Sequence, residues 1–365
     1  MTAPGLTVRG LRSVAVEVPM RHVLGTSQAA MRAAPLLLID LETDEGVTGR
    51  SYLFCYVPAA AGAIATLLAE VERQVKGERV VPSDLWALLA KRFTLIGVQG
   101  VVRMAMAGFD VACWDALAIA SNLPLATMLG AGPRAVRAYN SCGLGLMAPG
   151  ALADEAQELI EAGGFTAVKL RLGYPSLDED LAAVVAVRKR LGDGIHVMVD
   201  YNQALSVAEA MRRGRALDAH GVYWIEEPIR HDDYRGCARL AAALTTPVQI
   251  GENFSLPFAM DAALDARACD YVMPDLERIG GVTGWQRAAG IAAGRGIEMS
   301  SHLFPEVSAH LLAATPTAHW LEYVDWAAPI LEQPIEIKSG CALIPDRPGT
   351  GIAWNAAAVE RYRLR

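Results

Sequence analysis

Ile195-His196-Val197-Met198-Val199-Asp200 is a short apolar run that stops on a carboxylate, and five more short apolar segments, each ending in an acid or a base, follow or precede it. They are Thr166 to Lys169, Val222 to Glu226, Val248 to Glu252, Tyr271 to Asp275 and Ile297 to His302. In chain order the terminal residues are 31, 26, 26, 23 and 27 positions apart, each gap long enough for one strand, one helix and two short loops. This rhythm predicts repeated β/α units. Parallel strands wound in this way close into a barrel whose ligands sit at the C-terminal ends of the strands, and that is where these polar residues fall.

Toward the N-terminus the pattern changes. Leu36 to Leu41 is apolar, Thr43-Asp44-Glu45-Gly46 supplies turn residues and Val47 to Tyr56 returns, so residues 5–56 read as an antiparallel meander. From Pro58 to about Leu129 the spacing is helical, with Pro82-Ser83 opening one helix and an amphipathic stretch from Val101 to Ala120. The β/α rhythm starts near Arg137-Ala138-Tyr139-Asn140-Ser141 and runs to about Ile335. The predicted division is an α+β cap at residues 1–130 that carries specificity loops, a catalytic barrel at 131–337 and a segment at 338–365 that returns to the cap.

Length and composition fit that division. A chain of 365 residues with 53% hydrophobic composition exceeds the roughly 250 residues of one barrel and can hold a smaller second domain. A net charge of −7 with no Lys/Arg run argues against a nucleic-acid partner. The six cysteines form no CxxC pair and read as reduced thiols, which points to a cytoplasmic address. Charged residues interrupt the first 23 positions, so no export signal is read there, and the apolar window Pro58 to Leu68 is too short for a membrane span.

Asp200, Glu226 and Glu252 end successive predicted strands and would stand side by side on a barrel rim. Three adjacent carboxylates repel one another unless a cation neutralises them or one takes up a proton. Three separately paired acids are the plainer alternative, but matched strand ends favour a shared ion. An all-oxygen set favours Mg²⁺, one per subunit. Lys169 and Arg171, two residues apart on one strand, point to the same side of the barrel. Across the ring Asp275 and His302 end consecutive strands, and an aspartate there fixes the imidazole tautomer and raises its basicity. Glu322 ends the next strand among apolar neighbours expected to hold it protonated. A cation, a lysine and a protonated carboxyl facing a His–Asp base suit removal of a proton next to a carboxylate, whose enediolate needs its charge stabilised as it forms. Phosphate-loop, dinucleotide, GxSxG and HExxH motifs are absent.

Longer stretches carry a family resemblance: Ser51-Tyr52-Leu53-Phe54-Cys55-Tyr56, Val197 to Gln203, Trp224-Ile225-Glu226-Glu227-Pro228, Gly251-Glu252-Asn253, Met273-Pro274-Asp275, Gly280 to Trp285, Ser300 to Phe304 and Ala313 to Glu322. Over nearly its whole length the chain resembles the mandelate racemase group of the enolase superfamily, which includes muconate lactonizing enzymes. The resemblance implies an α/β architecture, a modified TIM (β/α)7β barrel with an N-terminal α+β capping domain, in a homo-oligomer. It implies Mg²⁺ on Asp200, Glu226 (rather than Glu227) and Glu252, with Lys169, Glu322 and Ser141 on the carboxylate of a small-molecule substrate. Asn202 would lie near the α-hydroxyl, His302 oriented by Asp275 would be the base on one face, and Leu24 and Tyr56 would contact substrate from the cap.

Arg171 departs from the pattern, replacing a second lysine base with a guanidinium that stays protonated. The cap loop from Arg21 to Arg32 departs as well, at His22, Gln28, Met31 and Arg32. The expected activity is therefore α-proton abstraction from a 2-hydroxycarboxylate by His302 alone, leading to dehydration to a 2-keto acid. Racemisation of a mandelate-like acid is the alternative, and a non-catalytic carboxylate-binding barrel is a remote third.

Overall fold

The structure is a computed structural model describing residues 5–27, 29–132 and 134–364; Gln28, one of the cap departures, lies outside the described residues. Three antiparallel strands open the chain in the order β1 (Val8–Gly25), β2 (Ala30–Thr43), β3 (Thr48–Phe54). Alternation along β2 serves two cores. Ala34, Leu36 and Leu38 face the barrel side, while Leu37, Ile39 and Leu41 face the cap helices. The stretch from Arg21 to Arg32 is not an open loop. It contains the tip of the β1–β2 hairpin, with Leu24 opposite Met31 and Gly25 opposite Ala30 beyond an irregularity between Pro19 and Leu24.

Helices α1 (Pro58–Val75), α2 (Pro82–Arg92) and α3 (Gly100–Ala120) cover the other face of the sheet. Prolines open the first two, where their missing N–H would be unbonded anyway. The third is apolar nearly all round because it is enclosed by β3 and α1 on one side and by barrel helices on the other. Gly49 permits the closest approach, since a Cβ there would lie 2.0 Å from the Ala112 carbonyl oxygen. No helix among the described residues is long and apolar enough to cross a membrane.

After the short α4 (Leu125–Met128) come six parallel strands: β4 (Ala135–Asn140), β5 (Ala167–Arg171), β6 (His196–Asp200), β7 (Ile225–Glu226), β8 (Val248–Ile250) and β9 (Tyr271–Val272). Helices α5 (Pro149–Glu161), α6 (Leu177–Leu191), α7 (Val207–Leu217), α8 (Tyr234–Ala241) and α9 (Leu256–Asp265) alternate with them. Beyond β9 follow α10 (Leu276–Ile279), α11 (Gly281–Arg295) and α12 (Pro305–Ala313), then β10 (Leu321–Tyr323). The ring closes through single bridges at Met299, to Val272 on one side and Ala318 on the other, and β10 pairs in parallel with β4. This is the (β/α)7β barrel with its α+β cap.

Side chains inside the barrel lie in layers set by the two-residue period. Tyr139, Ala167, Met198, Trp224 and Trp320 form an apolar plug. Two residues further along the same strands stand Ser141, Lys169, Asp200, Glu226 and Glu322, all buried. The segments after β10 differ from the expected division at 337/338, which falls inside a hairpin: β11 (Glu336–Lys338) pairs with β12 (Cys341–Leu343), and β12 pairs antiparallel with β4. Only beyond that hairpin does the chain reach the cap, where Trp354 Nε1 donates to Asp40 at 2.7 Å and α13 (Ala356–Tyr362) packs against β1.

Candidate active site

Asp200 and Glu226 end β6 and β7 as register partners, and Glu252 lies two residues past β8. Gly251 makes that overshoot possible, with φ of 141° and only 2.9 Å between a hypothetical Cβ and the Met273 amide nitrogen. One carboxylate oxygen from each of the three acids lies within 4.8 Å of the others. Other side chains hold them in place. Asn202 donates from its backbone N and Nδ2 to Asp200 at 2.7 and 3.0 Å, and Trp224 Nε1 donates to Glu226 Oε2 at 3.1 Å. Asn253 Nδ2 bonds both Glu252 and Glu227, and Arg278 donates to Asn253 Oδ1 at 2.8 Å and to the Glu252 carbonyl at 3.1 Å.

Burial raises the Glu226 carboxyl; Lys169 opposes, but Asp200, Glu322 and Glu252 add to the rise and bring it to about 8. Crowded acids of this kind fit a divalent cation, whose charge relieves both burial and repulsion. Lys169 Nζ lies 2.5 Å from Glu226 Oε1, 2.7 Å from Glu322 Oε1 and 3.5 Å from Asp200 Oδ2. Burial disfavours its charge, yet these three carboxylates outweigh that and hold the ammonium well above its usual range.

Glu322 corrects an expectation. Burial raises it, but Lys169, His302 and Arg171 more than reverse this, so it sits well below the carboxylate range as an anion. Its apolar sequence neighbours do not surround the carboxyl group, which instead accepts from Ser141 Oγ at 2.8 Å and the Leu303 amide at 2.9 Å. Arg171 Nη2 donates to that same Ser141 Oγ at 3.0 Å.

Asp275 lies three residues past β9, His302 lies three residues past the single bridge at Met299, and the two meet through a bridge between their backbones. Asp275 Oδ1 accepts from the amides of Glu277 and Arg278 at 2.8 and 3.1 Å, and its Oδ2 is 2.7 Å from His302 Nδ1. His302 Nε2 faces the acids, 3.3 Å from Glu252 Oε2 and 3.9 Å from Glu322 Oε2. Burial lowers the imidazole pKa, but Glu252, Glu322 and Asp275 raise it to about 9.

Of the cap residues, Leu24 is buried in an apolar cluster with Tyr52 and Phe54. Tyr56, in a left-handed conformation (φ 59°), places its ring 4.9 Å from the Arg278 guanidinium. Sequence reading did not single out Arg278, Asn253 or Glu277 as site residues. For Glu277 and Arg278 the available signal was a charged pair one residue beyond Pro274-Asp275, after an apolar run.

The enolase C-terminal domain-like model matches residues 151–358, and the mandelate racemase / muconate lactonizing enzyme N-terminal domain model matches residues 9–130. L-talarate/galactarate dehydratase of Salmonella typhimurium is 32% identical over 94% of this chain and 87% of its own length. A crystal structure of an enolase from the alpha proteobacterium bal199 with bound Mg is 44% identical with a TM-score of 0.97, covering 98% of this chain and 100% of that one. Another, of a Bradyrhizobium enolase complexed with magnesium and mandelic acid, is 38% identical with a TM-score of 0.95, covering 100% of both chains. Both domain models, in this order around a barrel of this topology, show that the chain is an enzyme of the enolase superfamily and belongs to its mandelate racemase / muconate lactonizing enzyme family.

Proposed function

We propose that this enzyme removes the α-proton of a 2,3-dihydroxycarboxylate and expels the β-hydroxyl, giving a 2-keto acid. The observation that carries this reading is the placement of His302 Nε2, backed at Nδ1 by Asp275 and turned toward the carboxylate cluster. Asp200, Glu226 and Glu252 would hold Mg²⁺, which when bound supplies positive charge for the two oxygens of the enediolate. Glu252 is also the largest influence raising His302, so a cation matching its charge would lower the imidazole toward a working base.

With a carboxylate at Nδ1, the Nε2 lone pair is free to take the α-proton. The C–H electron pair moves into the carboxylate. Lys169 and the Ser141 hydroxyl, both buried at this spot, would hold that carboxylate and meet its growing charge. The pair then returns to form the Cα–Cβ double bond while the β C–O bond breaks, and the proton on His302 leaves with the hydroxide as water. The resulting enol becomes the 2-keto acid. The dehydratase relatives, among them L-talarate/galactarate dehydratase and arabinonate dehydratase, support this outcome.

One set of contacts favours racemisation as a second reading. Phe54 lies 4.4 Å from Tyr56 and 4.9 Å from Trp326, ring centre to ring centre, and Tyr56 adjoins the Arg278 that bonds Glu252, which suits an aryl substituent. The mandelic acid complex of the Bradyrhizobium relative points the same way. A panel of mandelate, galactarate and other hydroxy acids in D₂O with Mg²⁺ distinguishes the two, since dehydration yields keto acid and racemisation yields only exchanged substrate. His302→Asn should abolish α-deuteration in either case, and exchange at the wild-type rate would mean another base.

A further inference from the structure

Two buried glutamates that take no part in the chemistry above follow the two halves of the dyad. Glu277 comes two residues after Asp275, and Glu306 comes four after His302. Both are hydrogen-bonded to the same cap strand. The Phe54 amide donates to Glu277 Oε2 at 3.2 Å, and Tyr52 Oη donates to Glu306 Oε2 at 2.5 Å. Tyr52 and Phe54 share one face of β3, while Leu53 between them packs into the cap core.

Both bonds reach the first turn of a helix that starts just after one half of the dyad, Glu277 in α10 and Glu306 in α12. Immediately after His302, Leu303 and Phe304 both adopt left-handed conformations, with φ of 52° and 51°. Side chains with a Cβ resist that region, so surrounding contacts must impose it. The contacts present are the Leu303 amide on Glu322, Ser308 Oγ on the Leu303 carbonyl at 2.9 Å, and the Phe304 ring 5.2 Å from that of Tyr52. On the other half, the turn through Glu277 and Arg278 supplies the amides that grip Asp275 Oδ1. Glu306 has no ion-pair partner among the described residues, so losing the Tyr52 hydroxyl would take from a buried carboxyl the hydrogen bond that the cap gives it.

We propose that β3 positions the dyad: the Tyr52–Glu306 and Phe54–Glu277 bonds fix the turns carrying His302 and Asp275, making the seating of the cap and the alignment of the base one event. Tyr52, Glu277 and Glu306 are then positioning residues, acting through the dyad and not on substrate. The inference rests on the reading of His302 as the base.

The test uses the full chain with Mg²⁺, with mandelate and galactarate as probes of α-deuteration, and the ring nitrogen signals of ¹⁵N-labelled histidine recorded without substrate. Tyr52→Phe and Glu306→Ala should lower kcat about 10- to 100-fold, more than they raise KM, because small misplacement of a reacting group costs rate steeply. Both should also move the His302 ring signals. Glu306→Gln, which keeps an oxygen acceptor for Tyr52, should recover most of the rate. Wild-type kcat and unmoved His302 signals in Tyr52→Phe would overturn the proposal, and so would Glu306→Gln being as impaired as Glu306→Ala. If the wild type deuterates neither probe, the ring signals alone decide the positioning role, and the functional reading is judged separately. Tyr52→Phe removes a single oxygen and carries the test should Glu306→Ala fail to fold.

Discussion

Arg171 is held at its two terminal nitrogens: Nη2 bonds Ser141 Oγ, and Nη1 leans on the carbonyls of Ser141, Gly143 and Lys169 at 3.3 to 3.4 Å. A guanidinium keeps its proton at any working pH, so it fixes Ser141 and contributes charge but takes no proton from carbon. One base then serves one face. The enzyme should deuterate only the enantiomer whose α-hydrogen faces His302, a result read by incubating each enantiomer separately in D₂O and following the α-proton signal. Equal exchange of both enantiomers would reveal a second base. Residue identity alone made this legible, because replacing lysine by arginine changes proton chemistry whatever the geometry. The state of Glu322 was not legible in the same way. Its sequence neighbours Leu321 and Trp320 are apolar, whereas its neighbours in space, Lys169, Ser141 and the Leu303 amide, come from three distant segments.

At the level of elements, the apolar runs were readable because each strand is buried on both faces, yet their ends were not. Val222 to Glu226 reads as a strand of five residues, and only Ile225 and Glu226 pair as one. Glu252 and Asp275 lie beyond their strands, and Ile297 to His302 forms no strand at all but single bridges, with local shapes that depend on Gly251 and on left-handed Leu303 and Phe304, features that a two-residue period does not report. Helix α12, which begins just after this bend, carries a buried histidine outside the site. His310 Nδ1 accepts from the Ala126 amide at 3.1 Å, and Nε2 lies 3.2 Å from the Thr350 carbonyl, tying α12 to α4 and the C-terminal segment. Burial, with Arg347 in support and the Thr350 carbonyl opposing, lowers this imidazole to about 4. The unfolded chain therefore takes up a proton near pH 6.5 that the folded chain refuses until about 4. Stability from this group is complete above the unfolded pKa and is lost as pH falls through that window, by roughly 3 kcal/mol at most. In urea titrations His310→Gln should lose less stability than the wild type between those two pH values. Identical losses would show that His310 is not the group that responds.

Over the whole molecule, cap and barrel are joined through α3. Asp110 accepts from the Thr283 amide and hydroxyl at 2.9 and 2.6 Å, and Asp115 accepts from the Arg50 amide on β3 and the Thr350 amide in the C-terminal segment at 2.7 and 2.6 Å. Parts bound this tightly should melt together. The metal cluster adds a separate handle on that transition, because Asp200, Glu226 and Glu252 come together only when three β/α units are in place. An ion that binds the native chain and not the unfolded one stabilises it by about 2.7 kcal/mol at a hundred times its Kd, a rise of a few degrees in Tm for a chain of this size. Mg²⁺ should therefore raise a single melting transition, and chelation should reverse the rise. Asp200→Asn removes one charge from a crowded set, so the metal-free variant should melt no earlier than the wild type while losing the response to Mg²⁺. A full Mg²⁺ response in that variant would remove Asp200 from the ligand set, and a metal-free Tm far below wild type would mean that the three acids are held by structural bonds instead of straining against one another.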